Sequence, residues 1–490
     1  MSSELEPLAS TCIFPGFEGP TAPDWIRRRL ADGLGGVILY AWNVESREQL
    51  AALTEDLRAE RSDVLVAIDE EGGDVTRLEA AIGSSYPGNA ALGAVDDVAL
   101  TEQVAASIAA DLAEVGVNLD LAPVADVNTN PLNPVIGVRA FGADAELAAR
   151  HVAAFVRGMQ GVRVAACAKH FPGHGDTSQD SHLELPIVES LEEDALRPFR
   201  AAIEAGVQSI MTAHIVVRSV GDSPATMSRE ILDDLLRKEL GYGGMVMTDA
   251  LEMRAISATV GVEEGAVRAI AAGADALCLG HDLFDESVMS VRDALVGAVR
   301  SGRLAEERLS EAAGRVQRTA EWTGAGAARE RVGREVGRTA ARRALHCVGE
   351  TSLLGPAIIV ELEPEPGMAA GRLPQGPGDW IRGVMGEAEI LRLHDGRVDA
   401  ALAAVDGRQL VVVTRDAHRH EWERSAVEAL LARAGDAVVV ETGLPLWRPS
   451  GGSAYIATFG AGRVNVEAAA ERLYSGPRRG VEQSGSSPGS

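Results

Sequence analysis

The sequence predicts an α/β protein with an N-terminal (β/α)8 barrel of the TIM type and a second, smaller α/β sandwich domain. Its length of 490 residues exceeds what one hydrophobic core usually organises. Short apolar runs rich in β-branched residues alternate with longer helical patterns over residues 1–325. Buried parallel strands appear as continuous apolar runs, and a helix between successive strands is the repeating unit of a barrel.

Eight apolar runs account for the strands of the predicted barrel. Helical patterns such as 23–34, 46–60 and 99–116 lie between them. An open doubly wound sheet would require a glycine-rich GxGxxG turn after an early strand, and the sequence has none there. Eight βα units therefore favour the barrel. The runs are 11–17, 35–40, 64–69, 118–124, 164–170, 209–215, 244–250 and 276–280.

A change of pattern marks the end of the barrel. Residues 303–348 are charged and helical, and glutamates interleaved with the arginines predict a solvated helix that connects two domains. Four further apolar runs and two helical patterns then predict the sandwich, and a Gly-, Ser- and Pro-rich tail predicts disorder. The expected parts are a catalytic barrel at 1–325, a linker helix at 326–348, the sandwich at 349–475 and the tail at 476–490.

Composition limits the class of protein. Hydrophobic residues make up 46% and charged residues 24%, as in ordinary globular proteins. A formal net charge of -26 argues against nucleic acid or an anionic membrane as the main partner. The four cysteines form no CxxC pair, which suits a reducing compartment. With no secretory signal pattern and no membrane-length apolar stretch, we expect a cytoplasmic monomer or homodimer.

The stretch KHFPGHGDTSQDSH at 169–182 holds three of the ten histidines. Proline and glycine between His170 and His174 keep the two rings off one helical face, so a metal site of the HExxH kind is disfavoured. We expect no metal and no other cofactor. Asp180 stands two residues before His182 and could hold one ring nitrogen, leaving the other to exchange a proton with a substrate.

This stretch resembles the KHFPGHG...DSH signature of family 3 glycoside hydrolases, in the bacterial β-N-acetylglucosaminidase (β-hexosaminidase) branch. Three other segments are similar to motifs of that family and follow in the same order. They are AIDEEGGDVTRL at 67–78, APVADVNTNPLNPVIGVRAFG at 122–142 and MTDALEM at 247–253. The sandwich domain resembles the family's second domain, so the resemblance spans about residues 8–475.

The resemblance implies a retaining exo-β-glycosidase that releases terminal N-acetylglucosamine from cell-wall or chitin fragments. It implies that Asp249 is the nucleophile and that His182, oriented by Asp180, is the general acid and base. A histidine here departs from the common two-carboxylate scheme. The remaining residues implied at the site bind sugar hydroxyls: Asp69, Arg77, Arg139, Lys169, His170 and, as an open alternative to filling the barrel mouth, His214.

Two departures from the family pattern and several rival functions stay open. Glu70 stands where the family more often has glutamine, and Asp74 where it often has arginine. Arg77 and Glu71 could be ion-paired rim residues. The same chemistry could serve a phosphorylase that uses inorganic phosphate, or a β-glucosidase. A non-catalytic sugar-binding protein and a metal-dependent hydrolase are further alternatives. Because the DSH motif supplies an acid/base, we expect the second domain to serve packing or oligomer formation.

Overall fold

The computed structural model describes residues 5–177, 185–281, 284–324, 333–353, 357–364, 375–405, 408–434, 436–452 and 454–474. Its N-terminal part alternates strands and helices. The strands are β1 (Ile13–Phe14), β2 (Gly36–Leu39), β3 (Leu65–Ile68), β4 (Leu119–Asp120), β5 (Ala165–Phe171), β6 (Ile187–Val188), β7 (Ser209–Thr212), β8 (Val216–Val217), β9 (Met245–Met247) and β10 (Leu277–Cys278). Each of the eight predicted runs matches one of these strands, and only β5 extends beyond its run, by one residue.

The helices of this part lie between the strands. A π-type helix spans Glu230–Glu239, and short 3-10 helices span Ala41–Asn43, Gly137–Arg139 and Ala225–Met227. The α-helices are α1 (Leu5–Thr11), α2 (Asp24–Ala31), α3 (Arg47–Glu60), α4 (Asn89–Val95), α5 (Val98–Glu114), α6 (Ala145–Gly161), α7 (Glu193–Glu204), α8 (Arg254–Ser257), α9 (Val262–Ala272), α10 (Asp285–Arg300) and α11 (Glu306–Gly324).

Helix α3 illustrates why these segments become helices. The Ser46 side chain accepts the Gln49 N–H and so satisfies one of the donors that a helix start leaves unpaired. Leu50, Leu53 and Leu57 recur at helical spacing and are buried. One apolar stripe therefore faces the sheet, and the opposite face meets solvent.

The first sheet is parallel, and its spatial order follows chain order. Strands β2, β3, β4, β5, β7 and β9 form it, while β1 pairs with β10. A bridge between Met247 and Ala276 links β9 to the start of β10, and the Ile38 N–H donates to the Pro15 carbonyl beside β1 at 3.0 Å. The sheet is therefore curled, whereas its complete closure into an eight-stranded barrel stays a prediction.

Two apolar clusters sandwich the strands of the curled sheet. The inner cluster includes Phe14, Leu65, Cys167 and Met247, and the outer one lies between the strands and the helices. Alternate residues of each strand supply the two clusters, as the two-residue period of a strand requires. Cys12, Cys167 and Cys278 are free and buried.

The second part of the chain forms a six-stranded sheet in the order β11-β16-β15-β14-β12-β13, parallel except for β11. Strands β11 and β13 were not predicted, because both are only partly buried and neither is a continuous apolar run. The strands are β11 (His346–Gly349), β12 (Ala357–Leu362), β13 (Glu389–Leu393), β14 (Gln409–Thr414), β15 (Ala437–Glu441) and β16 (Ala454–Ala457). The helices are α12 (Glu335–Ala344), α13 (Pro377–Met385), α14 (Asp399–Ala404), α15 (Glu421–Arg433) and α16 (Arg463–Leu473).

Helices cover both faces of the second sheet, so this part is a three-layer α/β unit. Helix α12 packs against α4 and α16 and thereby joins the two parts of the chain. The exact domain boundaries remain a proposal. Within the part of the chain that the structure describes, none of the helices combines the length and the apolar character needed to span a bilayer.

Candidate active site

A chain of opposite charges lies at the carboxyl ends of β3, β4 and β5. The Lys169 ammonium is 2.6 Å from Asp69 Oδ1 and 2.8 Å from Glu71 Oε1. Arg139, on the 3-10 helix after β4, donates two hydrogen bonds to the Glu71 carboxylate, at 2.9 and 2.8 Å. Lys169 and Glu71 are buried, while the Asp69 side chain is 21% exposed. Of these paired charged residues, Asp69 is therefore the one best placed to contact a ligand.

The charges of this network stabilise one another. Burial alone would raise the pKa of Glu71, but Arg139 and Lys169 hold it well below its usual range. Burial would lower the pKa of Lys169, but Asp69 and Glu71 raise it instead. Glu71 and Lys169 therefore stay ionised around neutral pH. The predicted residues Asp69, Arg139 and Lys169 lie together, and Glu71, the rim residue expected to form an ion pair, joins them.

His170 is oriented by a buried carboxylate. Its Nδ1 lies 2.7 Å from Asp126 Oδ2, and Asp126 also accepts the His174 N–H at 2.6 Å. Burial would raise the pKa of Asp126, but His170 lowers it, so this carboxyl is ionised and Nδ1 of His170 carries the proton. The second ring nitrogen then points away from Asp126. Sequence reasoning assigned no role to Asp126, although it lies in the motif at 122–142.

His174 lies deeper than His170. Its Nδ1 is 2.7 Å from Thr177 Oγ1, and its carbonyl accepts the Asn133 amide at 2.8 Å. Burial lowers the pKa of His174 to about 4, so the ring is neutral at pH 7. These contacts favour a structural role for His174 over a catalytic one.

Asp249 follows β9 by two residues and is half-buried. Its Oδ1 accepts the Ala250 N–H at 2.8 Å. Strands β5, β7 and β9 are parallel neighbours, so Asp249 lies at the same edge of the sheet as the residues that end β5. The geometry thus brings Asp249 toward the charged network around Lys169.

His214, at the carboxyl end of β7, holds the segment that carries Asp249. Its Nε2 lies 3.0 Å from the Ala250 carbonyl, and its Nδ1 lies 2.8 Å from Thr226 Oγ1. The ring is fully buried. Of the two roles left open, this geometry favours filling the mouth and fixing the Ala250 peptide; direct sugar binding by His214 stays a prediction.

Arg77 ends the loop that starts at Asp69. Its backbone N–H donates to Glu70 Oε2 at 2.9 Å, and the Leu78 N–H donates to the same oxygen at 2.8 Å. The guanidinium is close enough to Tyr40 for its positive charge to favour the ionised phenol. Arg77 thus lies on the same rim as Asp69, and its role in sugar binding stays a prediction.

The loop from Asp69 to Arg77 also contacts the second domain. Asp74 Oδ2 lies 2.6 Å from Arg415 of that domain, and Asp74 Oδ1 accepts the N–H groups of Ala461 and Gly462 at 2.7 and 2.9 Å. Phe459 lines the same cleft as Glu71 and Arg139. The second domain therefore borders the site, which the sequence did not indicate.

The proposed acid/base pair, Asp180 and His182, lies outside the described residues, so both assignments stay predictions. Thr177 is the last described residue before them, and it contacts His174. Among the described residues, no group of three or more His, Cys, Asp or Glu side chains could hold a metal ion.

Several known proteins of one family are similar to this chain in sequence. The model of the glycosyl hydrolase family 3 N-terminal domain matches residues 23–319. A β-hexosaminidase A of Pseudoalteromonas piscicida is 36% identical over 318 residues, which cover 58% of this chain and 52% of that protein. A β-hexosaminidase of Bordetella avium (strain 197N) is 38% identical over 267 residues, 52% of this chain and 76% of that protein.

A solved structure extends the similarity beyond the first sheet. The chain matches a glycoside hydrolase family 3 β-N-acetylglucosaminidase from Paenibacillus sp. str. FPU-7 with a TM-score of 0.85 and 34% identity. The match covers 96% of each chain, whereas the chain spans about half the length of the Pseudoalteromonas relative. The chain therefore belongs to glycosyl hydrolase family 3, a family of glycoside hydrolases, as its motifs predict.

Proposed function

We propose that the chain is a retaining β-N-acetylglucosaminidase that removes terminal N-acetylglucosamine from cell-wall or chitin fragments. The observation that carries the proposal is the convergence of Asp69, Lys169, Arg139 and His170 around the mouth that holds Asp249. The similarity to proteins named β-hexosaminidase and β-N-acetylglucosaminidase supports the choice of sugar. The proposal includes a closed barrel, which the Met247–Ala276 bridge and the Ile38–Pro15 hydrogen bond support.

In the proposed first step, an Asp249 oxygen attacks the anomeric carbon while the bond to the leaving oxygen breaks. His182 gives its proton to that oxygen, and Asp180 stabilises the imidazolium before transfer. In the second step His182 takes a proton from water, whose oxygen attacks the anomeric carbon and releases Asp249. Positive charge on the sugar ring in both transition states is stabilised by the nearby carboxylates.

The fixed network has a positioning role in this proposal. Asp69 accepts a hydrogen bond from one sugar hydroxyl group, and Lys169 donates a hydrogen bond to the oxygen of a neighbouring hydroxyl group. Because Lys169 and Arg139 are already paired with Glu71, binding costs little additional side-chain ordering. His170, whose Nδ1 is fixed by Asp126, presents its other nitrogen to a further hydroxyl.

The test is a comparison of sugars and acceptors on the purified protein. We expect p-nitrophenyl N-acetyl-β-glucosaminide to be cleaved at least tenfold better in kcat/KM than the β-glucoside, a difference of about 1.4 kcal/mol. The reaction is run with and without inorganic phosphate, and a sugar 1-phosphate product would identify a phosphorylase instead. Equal or reversed rates for the two sugars would contradict the substrate claim.

A further inference from the structure

An aromatic cluster stands on the rim beside the candidate site. Tyr40 and Trp42 follow β2, and His281 follows β10. The Tyr40 and Trp42 rings are stacked, with centroids 4.8 Å apart and an interplanar angle of 15°. His281 meets both rings edge-on, at 5.3 and 4.7 Å. The cluster therefore joins two strand ends of the curled sheet.

Strand order places this cluster between the nucleophile and the sugar-binding carboxylate. Asp249 follows β9, which connects to β10, and β10 pairs with β1. Asp69 follows β3, which pairs with β2. Going round the rim from Asp249 to Asp69, one passes the ends of β10, β1 and β2. Tyr40 is close enough to Asp69 and Glu252 for their charges to add to burial in raising the pKa of its phenol.

Trp42 keeps one face of its ring open. The residue is 42% exposed, which is unusual for a tryptophan. The three ring centroids lie 4.7 to 5.3 Å apart, in a nearly equilateral triangle. Tyr40 and His281 therefore contact Trp42 from neighbouring directions, and neither ring covers the indole face opposite Tyr40.

Hydrogen bonds hold the exposed indole in place. Its Nε1–H donates to the Phe17 carbonyl at 3.0 Å. The buried Asn43 side chain donates to the carbonyls of Phe17 and Gly19, at 3.0 and 2.7 Å, and accepts the Tyr40 N–H at 2.8 Å. Gly16 makes room for the cluster, since a Cβ there would lie 2.7 Å from the Tyr40 ring. The surface is thus rigid before any ligand arrives, which lowers the entropic cost of binding.

We propose that the open face of Trp42 binds the pyranose ring of the leaving group, the sugar next to the scissile bond. A β-linked pyranose presents a face of axial C–H groups, which packs favourably on the negative face of an indole. Trp42 would then recognise a sugar in the leaving group without touching the sugar that is cleaved. This inference rests on the proposed function and adds a preference for oligosaccharides over simple glycosides.

The experiment compares two substrates that differ only in the leaving group. N,N′-diacetylchitobiose has a sugar there, and N-acetyl-β-glucosaminyl fluoride has none. We expect Trp42→Leu to lower kcat/KM for the disaccharide at least tenfold, mainly through KM, and to leave the fluoride within twofold. Trp42→Phe keeps an aromatic face and should retain most of the disaccharide activity. Trp322→Leu is the matched control, because Trp322 packs on Arg163 before β5, at the opposite end of the strands.

Binding supplies a second readout that does not depend on turnover. In a titration, the affinity of Trp42→Leu for the thio-linked disaccharide should be at least tenfold lower than that of the wild type. N-acetylglucosamine itself should bind to both proteins equally well. Equal losses of affinity for both ligands, or unchanged binding of the disaccharide, would overturn the proposal that Trp42 binds the leaving-group sugar. A wild-type protein that cleaves neither substrate would instead contradict the proposed function.

Discussion

At the scale of single residues, the proposed reaction depends most strongly on Asp249. Without its carboxylate no glycosyl-enzyme intermediate forms, so Asp249→Ala should lower turnover by roughly 10³-fold or more. Asp249 follows the end of β9 and is only half-buried, so the fold should survive the substitution. Mass spectrometry after trapping with a fluorinated glycoside checks the assignment. Labelling of Glu252 or any residue other than Asp249 would show that the nucleophile is misassigned.

The buried carboxyl group of Glu70 should make the stability of the protein depend on pH. Burial raises the pKa of this carboxyl from 4.5 to about 7, although Thr76 and two backbone N–H groups oppose the shift. Between these values the folded protein binds a proton that the unfolded chain has lost. Stability contributed by Glu70 is therefore fully present below pH 4.5 and is lost as pH rises through 7.

Glu70→Gln tests this shift with a neutral residue of the same shape, the residue more often found in the family. We expect the variant to be more stable than the wild type at pH 8, by on the order of 1–3 kcal/mol, and equally stable at pH 4. Denaturant unfolding at both pH values gives the two differences. A difference that does not change with pH would rule out ionisation of Glu70 as the cause.

At the scale of elements, strands were predictable because a buried parallel strand is apolar on both faces. GVIL in β2 and LVAI in β3 show this pattern. The edge strand β13, EILRL, mixes charged and apolar residues, and its pattern therefore does not distinguish a strand from a loop. Several site residues implied by the family resemblance, among them Asp69, Lys169 and Asp249, lie at or just after strand ends, since parallel strands bring their carboxyl ends to one side.

Long-range charge pairs were not predictable from local patterns. Arg308 and Arg315 lie in the stretch expected to form a solvated helix, yet both reach the buried carboxylate of Asp275, at 2.5 and 3.2 Å. Arg237 of the π-type helix completes the cluster at 2.5 Å. Nothing in the spacing of these arginines indicates a partner more than thirty residues away. The same limit hid the pairing of Asp126 with His170.

If His182 is the general acid, the effect of its substitution should depend on the leaving group of the substrate. A dinitrophenolate departs with little help, so His182→Ala should leave the glycosylation step of that substrate largely intact. A natural sugar needs a proton, and its cleavage should fall by about 10²–10⁴-fold. Asp180→Ala should show a smaller effect of the same kind, because it only orients and charges the imidazole.

Pre-steady-state kinetics with both substrates on both variants separates the possible roles of this loop. A uniform loss across leaving groups would exclude general acid catalysis by His182. A chelator that inactivates the wild type would favour the metal-dependent alternative.

At the scale of the whole molecule, one carboxylate couples the two domains. Asp74 forms an ion pair with Arg415 of the second domain and accepts hydrogen bonds from two backbone N–H groups of that domain. It lies in the loop that also contains Asp69 and Glu71. The neighbouring Phe459 has a φ of 54°, a left-handed conformation that costs about 1–2 kcal/mol for such a residue. A strained loop is kept only where surrounding contacts hold it, and Asp74 supplies two of them, to the N–H groups of Ala461 and Gly462.

Asp74→Ala should therefore loosen the second domain and disturb the sugar site together. Removal of one partner from a mostly buried ion pair leaves Arg415 uncompensated, and we expect a loss of about 1–3 kcal/mol in domain coupling. Calorimetry should show one unfolding transition separating into two, with a fall in kcat/KM. Arg415→Ala should have a smaller effect, because it leaves the hydrogen bonds from Ala461 and Gly462 to Asp74 intact, and the double variant should be no worse than Asp74→Ala alone. The exposed pair Arg397–Asp395 is the control, and Arg397→Ala should change neither property. Additive effects of Asp74→Ala and Arg415→Ala would mean that the two residues act separately, and the site would then owe its geometry to the first domain alone.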